Sequence, residues 1–207
     1  MVSTKAHFTL ICFVFLVVNS SYECSPSSIP QQIHLSFGRD PLEIAVTWTT
    51  YVSTDRAIVE FSAVSDTNHT SVYGQTTQFV DGGSEQRIHY IHRVLITGLK
   101  SRTNYEYRCG FDKFWSKFYS FKTFSLDKDA SSELLIFGDL GLINSQSIPS
   151  LKKEISSGKI DAIIHVGDIA YNMDDNNSRV GDEFMKVLEP IAAYLPYQIC
   201  AGNHEQK

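Results

Sequence analysis

The sequence predicts two domains, an antiparallel β sandwich followed by the first βαβαβ half of an α/β layered domain. Three observations lead to this prediction. Residues 29–124 contain short β-prone runs separated by turns, without a helical period. Residues 125–132 are polar and charged, which is typical of a linker. Residues 131–207 then alternate apolar runs with helical periodicity, which indicates a parallel sheet with helices packed on it.

Composition and charge exclude some function classes. Of the 207 residues, 43% are hydrophobic and 20% are charged, which is ordinary for a globular protein. The formal net charge is −5, and the Lys and Arg residues are scattered along the chain. Such a chain offers no basic surface to DNA or RNA, so we expect no nucleic-acid partner.

Residues 1–20 resemble a secretory signal peptide. Lys5 and His7 precede an apolar run over residues 8–18, and small polar residues follow. The run is well short of the ~20 residues that a helix needs to span a bilayer. We therefore expect cleavage near Ser20, a secreted or lysosome-like location, and no permanent membrane anchor.

A secreted location gives meaning to two N-glycosylation sequons and to the cysteines. The sequons begin at Asn68 and Asn176, both in polar, loop-like stretches.

Removal of the signal peptide leaves Cys24, Cys109 and Cys200. An odd number means that one thiol is free, pairs between chains, or has its partner in a further stretch of the protein. We expect Cys200, within a predicted strand, to be a buried apolar residue.

The sandwich prediction is based on short β-prone runs that end at turn signals. The expected strands are 32–37, 43–50, 57–63, 71–79, 88–96, 104–109 and 118–124. Residues 99–107 resemble the corner of fibronectin type III domains, in which a Tyr hydroxyl ties a crossing loop to the backbone. Trp48 is expected to fill the core between the sheets.

The second domain is predicted to run strand, helix, strand, helix, strand. The strands are expected at 134–137, 161–166 and 197–201. The first helix is expected at 147–157, with Ser147 as its cap and Gly158 after its end. The second is expected at 183–188, with a further turn to residue 194 beyond Pro190. His165 lies inside a strand and is interpreted as a packed core histidine.

A glycine-led turn with an oxygen donor follows each strand of this domain. The turns are G-D-L-G at 138–141, G-D-I-A-Y at 167–171 and G-N-H-E at 202–205. Ligands bind at the carboxyl ends of parallel strands, so Asp139, Asp168 and Asn203 are expected to meet. Two cations ~3.5–4 Å apart can polarise a phosphoryl oxygen and activate water. Asp168, on the central turn, is the expected bridge between them.

Two aromatic residues complete the predicted site. Tyr171 supplies a phenolate, a hard donor that is among the ligands used for iron; packing beside the loop is the less favoured interpretation. His204 directly follows Asn203 and is expected to point away from the metals. It is therefore predicted to hydrogen-bond the phosphate or to protonate the leaving alkoxide.

The ordered motifs D-x-G, G-D-x-x-Y and G-N-H-E, with residues 180–205, are similar to those of purple acid phosphatases. These are metallophosphoesterases with a fibronectin-like N-terminal domain and a calcineurin-like catalytic domain. The resemblance implies that Asp139, Asp168 and Tyr171 bind Fe³⁺. It also implies that Asp168 bridges to a divalent Fe, Zn or Mn, that Asn203 binds this second metal, and that His204 assists the substrate. The implied reaction is attack of a metal-bound hydroxide on a phosphate monoester at acidic pH, and a homodimer is left open.

Family members also supply three histidine ligands from later V-x-x-H and G-H-x-H motifs, which this sequence does not contain. We therefore expect the chain to be the amino-terminal portion of a secreted acid phosphatase and to be inactive alone. The alternative is a secreted short isoform that acts as a non-catalytic binding module through its sandwich. Among enzymes, a phosphodiesterase of the same superfamily is less favoured because of Tyr171.

Overall fold

A computed structural model describes residues 26–54, 56–143 and 145–206. The predicted signal peptide, Cys12 and Cys24 lie outside these residues. Nine strands form the N-terminal part of the described chain: β1 (Gln31–Phe37), β2 (Ile44–Thr50), β3 (Ile58–Ala63), β4 (Thr70–Tyr73), β5 (Gln75–Val80), β6 (Ile88–Ile96), β7 (Asn104–Phe111), β8 (Phe114–Trp115) and β9 (Tyr119–Lys122). A short 3-10 turn, Pro26–Ser28, precedes them.

These strands form the predicted sandwich. One sheet has the order β1-β2-β6-β5; the other has the order β4-β3-β7-β8, with β9 also paired to β7. The pairs are antiparallel. Inward-facing side chains of both sheets, such as Val46, Trp48, Val59 and Tyr107, are fully buried in one apolar cluster. Burial of this cluster is the main stabilising contribution to the fold.

The prediction of a single strand at 71–79 is wrong. The segment forms β4, which pairs with β3, and β5, which pairs with β6, so the chain changes sheets at Gly74. A Cβ atom at Gly74 would lie 2.0 Å from the carbonyl oxygen of Arg93. Only glycine fits so close to the neighbouring backbone. The sequence alternates similarly on both sides of Gly74, so periodicity alone does not reveal the change.

Two further predictions about the sandwich are confirmed. The hydroxyl of Tyr105 accepts a hydrogen bond from the backbone N–H of Lys100 at 2.9 Å, as in a tyrosine corner. Trp48 is fully buried, and its ring stacks on His92 with 5.1 Å between centroids. The Tyr105 hydrogen bond holds the loop that crosses from β6 to β7.

The second part has the predicted order of elements. It consists of β10 (Leu134–Phe137), α1 (Ile148–Ser156), β11 (Ala162–Val166), α2 (Asp175–Ala192) and β12 (Tyr197–Cys200), followed by the short 3-10 turn His204–Gln206. The strands form a parallel sheet in the order β10-β11-β12. None of the helices among residues 26–54, 56–143 and 145–206 is long and apolar enough to cross a membrane.

Helix α2 begins eight residues before the predicted helix at 183–188 and is continuous with the further turn predicted beyond Pro190. It begins at Asp175, residues 176–178 have left-handed backbone angles, and a regular helix then continues through Pro190 to Ala192. Its buried positions are 181, 184, 188, 191 and 192, the spacing of an amphipathic helix. The polar residues at its start conceal this pattern in the sequence.

The two faces of the parallel sheet differ. Leu135, Ile163 and Tyr197 lie side by side in register and pack against both helices. Ile136 and Val166 point to the other face and are 58% and 52% exposed. Cys200 pairs in register with Val166 and is exposed, so the prediction that it is buried is wrong. Strand periodicity does not say which face is covered.

Helix α2 also packs against the sandwich. At its carboxyl end, the carbonyl oxygen of Ala193 accepts a buried hydrogen bond from the Tyr107 hydroxyl at 2.8 Å, and Ala193 belongs to the apolar cluster of the sandwich. Nearer its start, Asp182 forms an ion pair with Arg87 of the β5–β6 hairpin at 2.5 Å. The helix is therefore part of both cores.

Candidate metal centre

The turns after β10 and β11 are joined through their backbones. The N–H of Asp139 donates to the carbonyl oxygen of Gly167 at 3.3 Å, and the N–H of Gly141 donates to that of Ile169 at 3.1 Å. Asp139 and Asp168 have φ angles of 54° and 47°, in the left-handed region that non-glycine residues seldom adopt. Strained backbone of this kind is concentrated at functional sites.

The turn after β12 lies directly against the turn after β11. A Cβ atom on Gly202 would lie 2.3 Å from Asp168 Oδ1, so a side chain at this position would displace the carboxylate. Asp168 Oδ1 accepts a hydrogen bond from the backbone N–H of His204 at 3.0 Å. Asn203 lies between these residues, at an exposed position of the same turn. The three turns thus meet at one edge of the sheet, as the sequence predicts.

Tyr171 joins the first and third turns. Its hydroxyl donates to Asp139 Oδ1 at 2.8 Å, and its ring contacts the His204 ring edge-to-face, with 4.8 Å between centroids. The hydrogen bond to Asp139 is the largest of several effects that raise the pKa of Tyr171 to about 12. Gly141 leaves room for the ring, since a Cβ atom there would lie 3.1 Å from it. Tyr171 therefore holds its proton at neutral pH, facing a carboxylate.

The site opens to solvent beside these side chains. A cavity of about 330 Å³ is lined by Asp139, Tyr171, Asn172 and the segment 140–143. Nδ1 of His204 is buried and has no hydrogen-bond partner within the described chain. A buried polar atom without a partner is uncommon in a folded protein.

The donor set is dominated by oxygen. No group of three His, Cys, Asp or Glu residues within 26–54, 56–143 and 145–206 is arranged to hold a metal ion. The predicted donors are instead the carboxylates of Asp139 and Asp168, the phenol of Tyr171 and the amide of Asn203. The Tyr171 hydroxyl and the Asp139 carboxylate face each other, so a cation that replaced the phenolic proton would meet two hard oxygen donors. This arrangement fits a hard cation such as Fe³⁺.

Two further histidines within the described residues are buried among the strands. His165 is fully buried, and its Nδ1 lies 2.7 Å from the Tyr197 hydroxyl, which confirms that it is a core residue. His92 is buried in the sandwich between the hydroxyl groups of Thr50 and Thr76, each 2.9 Å from a ring nitrogen.

The sequon residues Asn68 and Asn176 are exposed, one before β4 and the other at the start of α2.

Sequence reasoning missed the contribution of Glu205. Its carboxylate accepts hydrogen bonds from the backbone N–H groups of Asp168, Ile169 and Gly202. The available signal was an acidic residue at the end of the third motif. Nothing in the sequence indicated that it folds back onto two turns.

The parallel sheet with oxygen donors at its carboxyl edge, packed on a β sandwich, defines the start of a metallophosphoesterase preceded by an N-terminal sandwich domain. Residues 30–123 match the N-terminal domain of purple acid phosphatases, and residues 132–207 match the calcineurin-like phosphoesterases. The chain belongs to the purple acid phosphatase family.

Several known proteins are similar to this one over most of the chain. Acid phosphatase type 7 of Homo sapiens is 44% identical over 184 residues, which is 88% of this chain and 42% of that protein. Fe(3+)-Zn(2+) purple acid phosphatase 12 of Arabidopsis thaliana is 28% identical over 184 residues, 85% of this chain and 38% of that protein. A purple acid phosphatase structure from yellow lupin (Lupinus luteus) seeds superposes with a TM-score of 0.73 at 27% identity, covering 87% of this chain and 36% of that chain. The chain thus spans about two fifths of the length of these relatives.

Proposed function

We propose that the chain supplies the first part of a dinuclear metal site that hydrolyses phosphate monoesters. The observation that carries the proposal is the contact of Tyr171 with Asp139 at 2.8 Å, beside the carboxylate of Asp168 and the ring of His204. The proposed cations are Fe³⁺ and a divalent Fe, Zn or Mn. The name of the Arabidopsis thaliana relative, an Fe(3+)-Zn(2+) enzyme, supports this choice.

Each donor has a proposed role. Asp139 and Tyr171 would hold the ferric ion. Asp168, whose carboxylate is oriented by the N–H of His204 at 3.0 Å, would contribute to both cations. Asn203 would hold the divalent ion. Such a pair of cations polarises a phosphoryl group and lowers the pKa of bound water.

His204 is the proposed acid and substrate-binding group. Its ring is held edge-on against Tyr171, which limits its rotation. An imidazole at this position can donate a hydrogen bond to a phosphate oxygen or transfer a proton to the leaving alkoxide. Its side chain needs no part in metal binding for either task.

The remaining assignments concern the chain as a whole. The proposed division is a signal peptide at 1–20, a fibronectin-like domain at 29–124 and a calcineurin-like domain at 131–207. We propose a secreted or lysosome-like location, with glycans on the exposed residues Asn68 and Asn176.

His204 is the only imidazole among the proposed site residues, and it is assigned to the substrate. We therefore propose that the 207-residue chain alone does not turn over a chromogenic phosphate monoester at pH 5.

The iron site is tested by absorption spectroscopy on the chain loaded with Fe³⁺. An iron–phenolate pair gives a visible charge-transfer band, which should disappear in Tyr171→Phe while elemental analysis still finds iron. The matched control is Tyr73→Phe, which changes a tyrosine of β4 that is 70% exposed. A band that survives in Tyr171→Phe, or no band when iron is bound to the unaltered chain, would contradict the assignment.

A further inference from the structure

One carboxylate joins the two turns that carry Asp168 and Asn203. Oε2 of Glu205 accepts hydrogen bonds from the N–H of Asp168 at 3.0 Å and the N–H of Gly202 at 2.6 Å. Oε1 accepts a hydrogen bond from the N–H of Ile169 at 2.8 Å. Two donors belong to the turn after β11 and one to the turn after β12. We call these three bonds the Glu205 clasp.

The clasp satisfies backbone groups that have no partner in the sheet. Asp168 and Ile169 follow the end of β11, so their N–H groups lie beyond the last strand pairing. These two N–H groups converge on one point because Gly167 and Asp168 both have left-handed backbone angles. Successive N–H groups in such a turn form a concave site for an anion. Here the anion is a side chain of the neighbouring turn.

The connection is reciprocal. Glu205 accepts from the backbone of Asp168, while the carboxylate of Asp168 accepts from the backbone N–H of His204 at 3.0 Å. A carboxylate accepts hydrogen bonds on both of its oxygens, which suits it to receive several backbone N–H groups at once.

The two turns are in direct contact. A Cβ atom on Gly167 would lie 2.9 Å from the Cα of Gly202, and one on Gly202 would lie 2.4 Å from the nitrogen of Asp168. Both backbones are therefore as close as glycine permits. A change in the clasp would move the turns apart, since they cannot move closer.

We propose that Glu205 is a positioning residue, which fixes the distance between Asp168 and Asn203 by holding the two turns together. Each of its oxygens accepts a backbone hydrogen bond, so it acts through the backbone. The inference rests on the proposed function only in assigning metal ions to Asp168 and Asn203. The clasp itself needs no cation.

The first test is amide hydrogen exchange on the metal-free 207-residue chain. In the unaltered chain, the N–H groups of Asp168, Ile169 and Gly202 should be protected although they lie in turns. In Glu205→Gln, which keeps the size but replaces one acceptor oxygen with an NH₂ donor, they should exchange at least about ten-fold faster, because losing a hydrogen bond to a charged group costs about 1.5–3 kcal/mol. The control is Glu154→Gln, on the exposed face of α1, which should leave these rates unchanged.

Exchange at the rate of open loops in the unaltered chain would overturn the clasp, and this measurement needs no variant to fold. Equal protection in folded Glu205→Gln would overturn it as well. Glu205→Asp provides a milder change, since it keeps the charge but is too short to span both turns. It should lose protection at one turn and retain it at the other.

The second test is binding of Zn²⁺ alone, measured by calorimetry. Groups that orient metal ligands typically affect affinity by about 10–100-fold, so Glu205→Gln should bind at least about ten-fold more weakly than the unaltered chain and Glu154→Gln. Equal affinity together with lost amide protection would overturn the positioning role. If the unaltered chain takes up no Zn²⁺, the proposed metal site of this chain fails, while hydrogen exchange still decides on the clasp.

Discussion

Removal of one hydroxyl group between the sandwich and α2 is expected to weaken both parts of the molecule together. Tyr107 is fully buried and donates a 2.8 Å hydrogen bond to the carbonyl oxygen of Ala193. Burial raises the pKa of Tyr107 well above its usual value, so the hydroxyl remains a donor across the working pH range. In Tyr107→Phe the buried carbonyl loses this donor, which costs about 1–3 kcal/mol. For a chain of this size, a loss of about 2 kcal/mol corresponds to a fall of about 4–8 °C in Tm.

Two spectroscopic probes can follow the two parts separately. Both tryptophans, Trp48 and Trp115, lie in the sandwich, so fluorescence reports on it, whereas circular dichroism at the helical minimum reports on α1 and α2. We expect coincident transitions that shift equally in Tyr107→Phe. The control Tyr73→Phe, in an exposed position, should shift Tm by less than about 1 °C, because surface substitutions usually have small effects. Separate transitions, or an unchanged Tm in Tyr107→Phe, would refute the shared-core reasoning.

Two further predictions concern titration and reactivity. Burial lowers the pKa of His92 to about 4, whereas an unfolded His titrates near 6.5, so the unfolded chain binds more protons between these values. The free energy of unfolding should therefore fall by up to roughly 3 kcal/mol as pH drops from 6.5 to 4; NMR titration of the ring checks the assignment, and a midpoint near 6.5 would exclude it. Maleimide should label exposed Cys200 in the folded protein, but buried Cys109 only in urea, because burial also raises the pKa of the Cys109 thiol. Peptide mass mapping distinguishes the two, and equal labelling in the folded state would contradict the packing around Cys109.

Local patterns in the sequence predicted the elements and the meeting of the three turns. Glycine before an oxygen donor at a strand end is a local signal, and the turns that carry Asp139, Asp168 and Asn203 follow three neighbouring strands of one sheet. The Tyr corner was also predictable, because Tyr105 and its partner Lys100 are close in sequence.

Features that depend on distant contacts were missed or wrong. The exposure of Cys200 depends on which face of the sheet the helices cover, which strand alternation does not specify. The length of α2 depends on burial of Gly181 and Ala192 against other elements. The clasp depends on Glu205 reaching residues 36 and 37 positions earlier in the chain. Such contacts exist only once the strands have paired.

The change of sheets at Gly74 has a consequence for how the sandwich can be modified. Most connections between sheets are loops with spare length, but here one residue spans the gap while its backbone lies against that of Arg93. Added length at this point would have to separate β4 from β3 or β5 from β6. The exposed turn at 64–69, which joins two strands of the same sheet, has no such restriction. Reporter peptides and epitope tags therefore belong in that turn, ahead of the Asn68 sequon, while the Gly74 crossing keeps the two sheets in a fixed alignment.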